Sequence, residues 1–154
     1  MKIKNIYIID PSTEQPVLLE EWRKAEDPTT AKLIVIESDE IRPFVLDKNL
    51  AIEKDVNFDD AVKAAAEAGG TLGTRAQWIA VYEAIHTAGL NEALELIGGK
   101  PIEWRWYWTE EKDSDQSNAT GAWVFHGGSG YVTYGSNRFD ACAARVFRAF
   151  TQAL

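Results

Sequence analysis

The sequence predicts an α+β fold in which strands come first, helices follow and strands return. Residues 1–50 contain apolar runs rich in β-branched and aromatic residues, which is the pattern of strands. Residues 57–99 carry apolar residues at helical spacing between capping residues and glycines. From Pro101 the apolar period changes to two, which is typical of strands. Because strands and helices do not alternate regularly, the order favours α+β over a parallel βαβ sheet.

Three runs in the first half are predicted strands: IKNIYIID, AKLIVIES and IRPFVLDKNLA. Pro43 lies in the third run, and proline cannot donate a hydrogen bond to a strand ladder. We therefore expect either that this strand lies at a sheet edge or that it begins near Pro43. The segment between the first two runs can hold a short helical turn that Asp27 and Pro28 stop.

Helices are predicted in the middle of the chain. Asn57 caps the first one, FDDAVKAAAEA, which a glycine pair ends. Thr74 and Gln77 form a capping box that opens the second, and Gly89 ends it. A shorter third helix, NEALELIGG, again ends in two glycines.

The last third of the chain is predicted to return to strands. In EWRWYWT, Trp104, Trp106 and Trp108 would share one face, with Arg105 and Tyr107 on the other. AWVFH and YVTY flank GGSG and predict a hairpin. AARVFRAFT is the closing strand, and its two arginines lie on opposite faces.

Composition limits the classes of function. The chain has 154 residues and a net charge of −8 without a basic stripe, so nucleic acid is not an expected partner. No apolar run approaches the ~18 residues of a membrane span, and no membrane insertion is expected. The first apolar stretch stops at Asp10, too early for a signal peptide, so we expect a protein that is cytoplasmic when made. Cys142 is the single cysteine, which excludes an intrachain disulfide.

Signals for catalysis or metal binding are weak. The acidic loop at 110–115 offers oxygens to calcium, but it lacks the Gly and Glu positions of an EF-hand, and a solvated loop is preferred. His86 and His126 belong to no nucleophile–base arrangement. Cys142, between alanines, is interpreted as a small buried residue. We therefore expect no metal, no cofactor and no enzymatic activity.

Four stretches of residues 69–150 follow one another in the order found in a known family: GGTLGTRAQW, ELIGG with YWTEE, GAWVFHGGSGYVTY, and ARVFRAF. They resemble C-type-lectin-like domains that lack the disulfides of animal lectins. Such domains include the C-terminal domain of bacterial collagen-like adhesins and the targets of diversity-generating retroelements. The resemblance implies two or three helices packed on small antiparallel sheets. It also implies a β-rich leader, residues 1–50, packed on residues 51–154 in one compact unit.

The sequence departs from this family in places. Gly73 stands where the family has proline, and Ala144 and Arg145 stand where it often has an aromatic residue and valine. The Trp-Asn-Asp calcium motif of animal lectins is absent, so calcium-dependent sugar binding is not implied. Formylglycine-generating enzymes share the general fold but need a cysteine-based copper site, which one cysteine cannot supply.

The resemblance implies a ligand-binding or adhesion domain, such as the receptor-binding protein of a phage or prophage, which would be associated with a virion. Its ligand would be a protein or glycan on a cell surface, and a homo-oligomer is compatible with this role. In retroelement targets the variable ligand-binding face is rich in Tyr, Asn and Ser, as antibody loops are. The matching positions here, with the neighbours that extend the face, are Tyr131, Thr133, Tyr134, Ser136, Asn137, Arg138, Phe139, Thr109, Phe125 and His126.

Alternatives stay open at this stage. The chain could instead be a structural or assembly component of a phage particle or surface complex, without a ligand of its own. The tryptophans of the last third are interpreted mainly as core, because a buried aromatic side chain removes roughly 150–250 Å² from water. Arg145 and Arg148 are expected to pair with acids and hold the closing strand.

Overall fold

A computed structural model describes residues 1–112, 121–137 and 140–154. Its strands form two antiparallel sheets beside four α-helices, so the predicted α+β class is confirmed. No helix in these ranges is long and apolar enough to cross a membrane. The elements in chain order are β1 (Ile3–Ile9), β2 (Pro16–Leu18), α1 (Leu19–Trp22), a 3-10 turn (Pro28–Thr30), β3 (Leu33–Ser38), β4 (Phe44–Leu50), α2 (Phe58–Glu67), α3 (Arg75–Thr87), α4 (Leu90–Leu96), β5 (Trp106–Trp108), β6 (Ala122–His126), β7 (Val132–Gly135) and β8 (Arg145–Ala149).

The larger sheet joins the two ends of the chain. Its strand order is β2-β1-β3-β4-β8, and β8 pairs with β4 from Phe44 opposite Ala149 to Leu46 opposite Phe147. The first 50 residues and the closing strand therefore share one sheet. β4 lies inside this sheet and begins just after Pro43. Of the two places predicted for Pro43, the sheet edge is wrong and the start of the strand is confirmed.

The predicted helix ends are confirmed. Asn57 accepts a hydrogen bond from the Asp60 N–H at 2.9 Å at the start of α2. Thr74 and Gln77 form the reciprocal capping box of α3. Gly89, with φ +70°, separates α3 from α4 in the left-handed conformation that favours glycine.

Trp78 is the centre of the larger core. Its side chain is fully buried on α3, and its ring centroid lies 4.8 Å from Tyr107, 5.6 Å from Phe125 and 5.0 Å from Phe147. Its indole N–H donates to the Leu72 carbonyl at 3.0 Å, so the buried donor is satisfied. Residues of β5, β6 and β8 meet on this one side chain, and both sheets pack against α3 through it.

Gly73 lies at a position where the backbone needs a glycine. Its φ is +84°, which proline cannot adopt, and a Cβ at this position would lie 2.8 Å from the Phe147 ring. The glycine lets the chain pass directly over the aromatic core before α3 begins.

A second, smaller core lies on the other face of the three-stranded sheet β5-β6-β7. Phe58 of α2 packs against Trp108 with ring centroids 5.4 Å apart, and the Trp108 indole N–H donates to the Val56 carbonyl at 2.8 Å. Val124 and Leu72 complete the contact. Helix α2 thus covers the end of this face that carries Trp108.

The two arginines of β8 hold the sheet in different ways. Arg148 pairs with the Asp47 carboxylate at 3.3 Å, which confirms the expected acid partner. Arg145 is fully buried and donates instead to the carbonyls of Lys100 at 2.7 Å and Asp47 at 3.1 Å. Burial lowers the pKa of Arg145 to about 10, so the guanidinium remains charged at neutral pH.

Lys48 joins three distant segments through its ammonium group. Nζ donates to the carbonyls of Thr29 at 3.1 Å, Ala31 at 2.9 Å and Ile97 at 2.8 Å. The contacts connect the 3-10 turn, the segment before β3 and the C-terminal end of α4. At this end of α4 the helix dipole also stabilises a positive charge.

We expect Lys48→Met to lower the free energy of unfolding by about 1–3 kcal/mol, because three carbonyls lose a charged donor. Urea denaturation measures this change. Lys63→Met, on the exposed side of α2, is the matched control and should change stability by less than about 0.5 kcal/mol. Equal losses in the two variants would contradict the structural role of Lys48.

Candidate binding surface

Side chains of the small sheet form rows that cross its strands. Trp106 of β5 lies opposite His126 of β6, and the His126 N–H donates to the Tyr131 carbonyl at 2.8 Å, just before β7. The next row holds Tyr107 and Phe125, which point into the core on α3. Because neighbouring residues on a strand face opposite ways, the row with Trp106 points out of that core.

Trp104 and Trp106 lie at the surface, so their interpretation as core residues is wrong. Trp104 is 76% exposed and Trp106 is 36% exposed, whereas Trp108 is fully buried as expected. The inward face at this end is already filled by Tyr107 and Phe125. Trp106 does share a face with Trp108, but only the Trp108 end of that face is covered by α2.

His126 lies against both exposed indoles. Its ring centroid is 5.2 Å from Trp104 and 4.9 Å from Trp106, with interplanar angles of 81° and 77°. Such edge-to-face contacts are favourable by about 0.5–1.5 kcal/mol each. Tyr131, 72% exposed, extends the same row. We call Trp104, Trp106, His126 and Tyr131 the aromatic patch.

The hairpin turn holds the aromatic patch in place. His126 Nδ1 accepts from the Ser129 N–H at 3.1 Å and the Gly128 N–H at 3.3 Å, which assigns the proton of the neutral ring to Nε2. Gly128 lies directly against Trp104, since a Cβ there would come within 2.0 Å of the indole ring. The most exposed tryptophan is therefore seated on backbone and imidazole.

The core also fixes the segment that carries Trp104. Tyr107, buried against Trp78, accepts a hydrogen bond from the Glu103 N–H at 2.8 Å through its hydroxyl. Burial raises the pKa of Tyr107, so the hydroxyl stays protonated at neutral pH. On the other strand, the Gly127 N–H donates to the Arg105 carbonyl at 2.9 Å. Backbone on both sides of Trp104 is thus anchored.

The indole N–H groups divide the tryptophans into two classes. Three donate to backbone carbonyls at 2.8–3.0 Å: Trp22, Trp78 and Trp108. Across residues 1–112, 121–137 and 140–154, the N–H groups of Trp104, Trp106 and the half-buried Trp123 have no protein acceptor. The exposed pair, Trp104 and Trp106, therefore offers flat apolar rings together with donors that a ligand can use.

A group of charges lies beside the aromatic patch. Arg105 pairs with Asp55 and, at 3.3 Å, with Glu103. Burial, then the charges of Asp140 and Asp55, raise the pKa of Cys142 to about 12, so this thiol stays protonated at neutral pH. The Arg105 guanidinium thus joins the two carboxylates of Asp55 and Glu103.

The residues predicted for a ligand face are only partly brought together. Tyr131 and Thr133 are exposed, while His126, Tyr134, Ser136 and Asn137 are half-buried. Phe125 and Thr109 are 1% and 0% exposed, so their assignment to an exposed face is wrong. Phe125 points inward onto Trp78, and Thr109 is enclosed where its N–H donates to the Trp123 carbonyl at 2.9 Å. Arg138 and Phe139 lie outside the described residues.

Two of the predicted polar residues are used within the fold. Asn137 accepts from the Asp59 N–H at 2.8 Å and donates to the Asp59 carboxylate at 3.1 Å, which fastens the loop after β7 to the start of α2. The Tyr134 hydroxyl accepts from the Gly121 N–H at 3.1 Å. Among the described residues of the predicted face, the end with Tyr131, His126 and Thr133 remains open.

Trp123 is half-buried rather than part of the interior as expected. The Arg75 guanidinium lies 4.7 Å from the centroid of its ring, and Arg75 Nε donates to the Glu111 carboxylate at 2.7 Å. A cation placed over an indole is favourable by about 0.5–2 kcal/mol. Of the acidic loop, Asp113 and Asp115 lie outside the described residues, and Glu111 serves this ion pair.

Comparison with known proteins gives no family for the chain. No protein-family model matches it, and no curated protein has a significantly similar sequence. In the part of the chain that the structure describes, no group of three or more His, Cys, Asp or Glu residues is arranged to hold a metal ion. The two exposed indoles, held against His126, make the aromatic patch the candidate site.

Hydrogen exchange of the indole N–H groups tests this division of the tryptophans. We expect the signals of Trp78 and Trp108 to exchange slowly, because both are buried and hydrogen-bonded. Those of Trp104 and Trp106 should exchange within the dead time of the experiment. Two-dimensional NMR of the uniformly labelled protein, assigned with Trp104→Phe and Trp106→Phe, measures the rates. Slow exchange at Trp104 would contradict its exposed position.

Proposed function

We propose that the protein is a non-enzymatic ligand-binding or adhesion domain and that the aromatic patch is its binding surface. One observation carries the proposal: two tryptophans stand at the surface, fixed around His126, although the core is filled without them. Clustered exposed aromatic residues mark interaction sites in soluble proteins. Trp and Tyr contribute a large share of the energy at such sites.

The fixed position of the patch suits recognition. When a ligand immobilises a side chain that was free to rotate, the lost entropy costs about 0.5–1.5 kcal/mol of binding free energy. Trp104 is already seated on Gly128 and His126, so much of this cost is met in the free protein. Tyr131 and Thr133 add polar contacts at the side of the patch.

The C-type-lectin-like fold is part of the same proposal. It is supported by the α+β class, by the hairpin of β6 and β7 on a small antiparallel sheet, and by the helices packed against it. A receptor-binding protein of a phage or prophage, which recognises a protein or glycan on a cell surface, is the form of this function that the sequence resemblance favours.

Binding to bacterial envelope fractions tests the proposal. We expect the wild type to bind a fraction from at least one species of a panel, and Trp104→Ala/Trp106→Ala to lose at least tenfold in affinity. The free energy of unfolding should fall by no more than about 1–3 kcal/mol, the value of the two edge-to-face contacts with His126, because neither side chain belongs to a hydrophobic core. Surface plasmon resonance and thermal unfolding give the two quantities. EDTA should leave the binding unchanged.

Ile79→Ala is the matched control, since Ile79 is also an exposed apolar residue, 42% accessible on α3, and lies outside the patch. It should bind as the wild type does. Equal binding by the double variant and the wild type would contradict the proposal. A wild-type oligomer that the double variant converts to a monomer, with no envelope binding, would instead support an assembly component.

A further inference from the structure

The chain contains an internal example of how a partly exposed tryptophan is covered. Arg75 lies over the Trp123 ring at 4.7 Å, and its Nε is held by Glu111 at 2.7 Å. The arrangement has three parts: an indole face, a cation on that face, and a carboxylate that positions the cation. The ring attracts the cation through its quadrupole, and the carboxylate adds direct charge attraction.

The aromatic patch has two of these three parts. Trp104 and Trp106 supply indole faces. The carboxylate of Glu103, the residue before Trp104, is 48% exposed, and Arg105 links it to Asp55, which is 44% exposed. The guanidinium of Arg105 is already paired with both acids. Among the described residues, no cation of the chain lies over either indole.

We infer that the missing part is supplied by the ligand: a segment of a partner protein that bears an arginine or lysine and places its cation on Trp104 or Trp106. This inference rests on the proposed function and names the chemistry of its ligand. The flanking peptide carbonyls of such a segment would accept from the indole N–H groups of Trp104 and Trp106, which have no acceptor within the described chain.

Charge complementarity decides between a basic ligand and other ligands. The chain carries 16 basic and 24 acidic residues, a net charge of −8, which attracts a basic segment and repels an anionic one. In the ion pair next to Trp104, Asp55 and Glu103 outweigh Arg105 by one charge. A neutral saccharide would use the ring faces and the N–H donors but would leave this negative excess without a partner.

Selection from a random peptide library displayed on phage tests the inference. The library is first depleted on immobilised Trp104→Ala/Trp106→Ala and then selected on the wild type. We expect every enriched family to contain Arg or Lys. For synthetic peptides, replacing Arg by citrulline or Lys by acetyl-lysine should weaken binding at least tenfold in isothermal titration calorimetry.

Controls separate a defined site from general attraction to an acidic protein. A scrambled peptide of the same composition and charge should bind at least tenfold more weakly than the selected one. Ile79→Ala should bind the peptide as the wild type does, and Glu103→Gln should weaken it. Equal binding of scrambled and selected peptides would overturn the inference.

Enriched peptides without a cation, citrulline peptides that bind as well as arginine peptides, or a selection that enriches nothing would each overturn the basic ligand. If the patch nevertheless binds an envelope fraction, the proposed function stands and only the ligand chemistry fails. If envelope binding is also unaffected by the loss of both tryptophans, the proposed function fails with it.

Discussion

The structure depends on the packing around Trp78. Its buried ring contacts Tyr107, Phe125 and Phe147, which belong to three strands of two different sheets, and its N–H is satisfied by the Leu72 carbonyl. Aromatic contacts of this kind stabilise beyond the area they bury. This side chain gives the small sheet aromatic contacts with α3 and links it to Phe147 of the larger sheet.

The aromatic patch follows from this core by strand geometry. Tyr107 and Phe125 face Trp78, so their neighbours Trp106 and His126 must face the other way. Helix α2 covers only the Trp108 end of that other face, which leaves the end with Trp106 open. The Tyr107 hydroxyl also holds the backbone of Glu103, next to Trp104. The buried residues therefore decide both where the patch lies and how firmly it is held.

Local signals explain what the sequence predicts well. Helix caps at Asn57 and Thr74 and the Gly-rich hairpin turn depend on residues within a few positions of one another. The class of fold follows from the order of such elements. These predictions are correct because each depends on residues close together in the chain.

Long-range packing explains what the sequence does not predict. A period of two places Trp106 and Tyr107 on opposite faces of a strand but does not say which of them faces inward. Trp104 precedes β5, so the period does not apply to it. The sequence predicts Asn137 as a ligand contact because its partner, Asp59, lies 78 residues earlier and local patterns do not reveal it. It also predicts Phe125 at the surface beside His126, although strand alternation sends the two side chains in opposite directions. The sequence does contain a signal for the patch: Arg105 between Trp104 and Trp106, and the glycines that follow His126.

Trp104 and Trp106 are exposed yet held in place before any ligand binds. Nitrogen-15 relaxation of the indole Nε1 groups in the free protein measures this directly. We expect order parameters for both side chains close to that of buried Trp78, about 0.8 or higher, as in rigid groups. Values below about 0.6, typical of mobile surface groups, would contradict it.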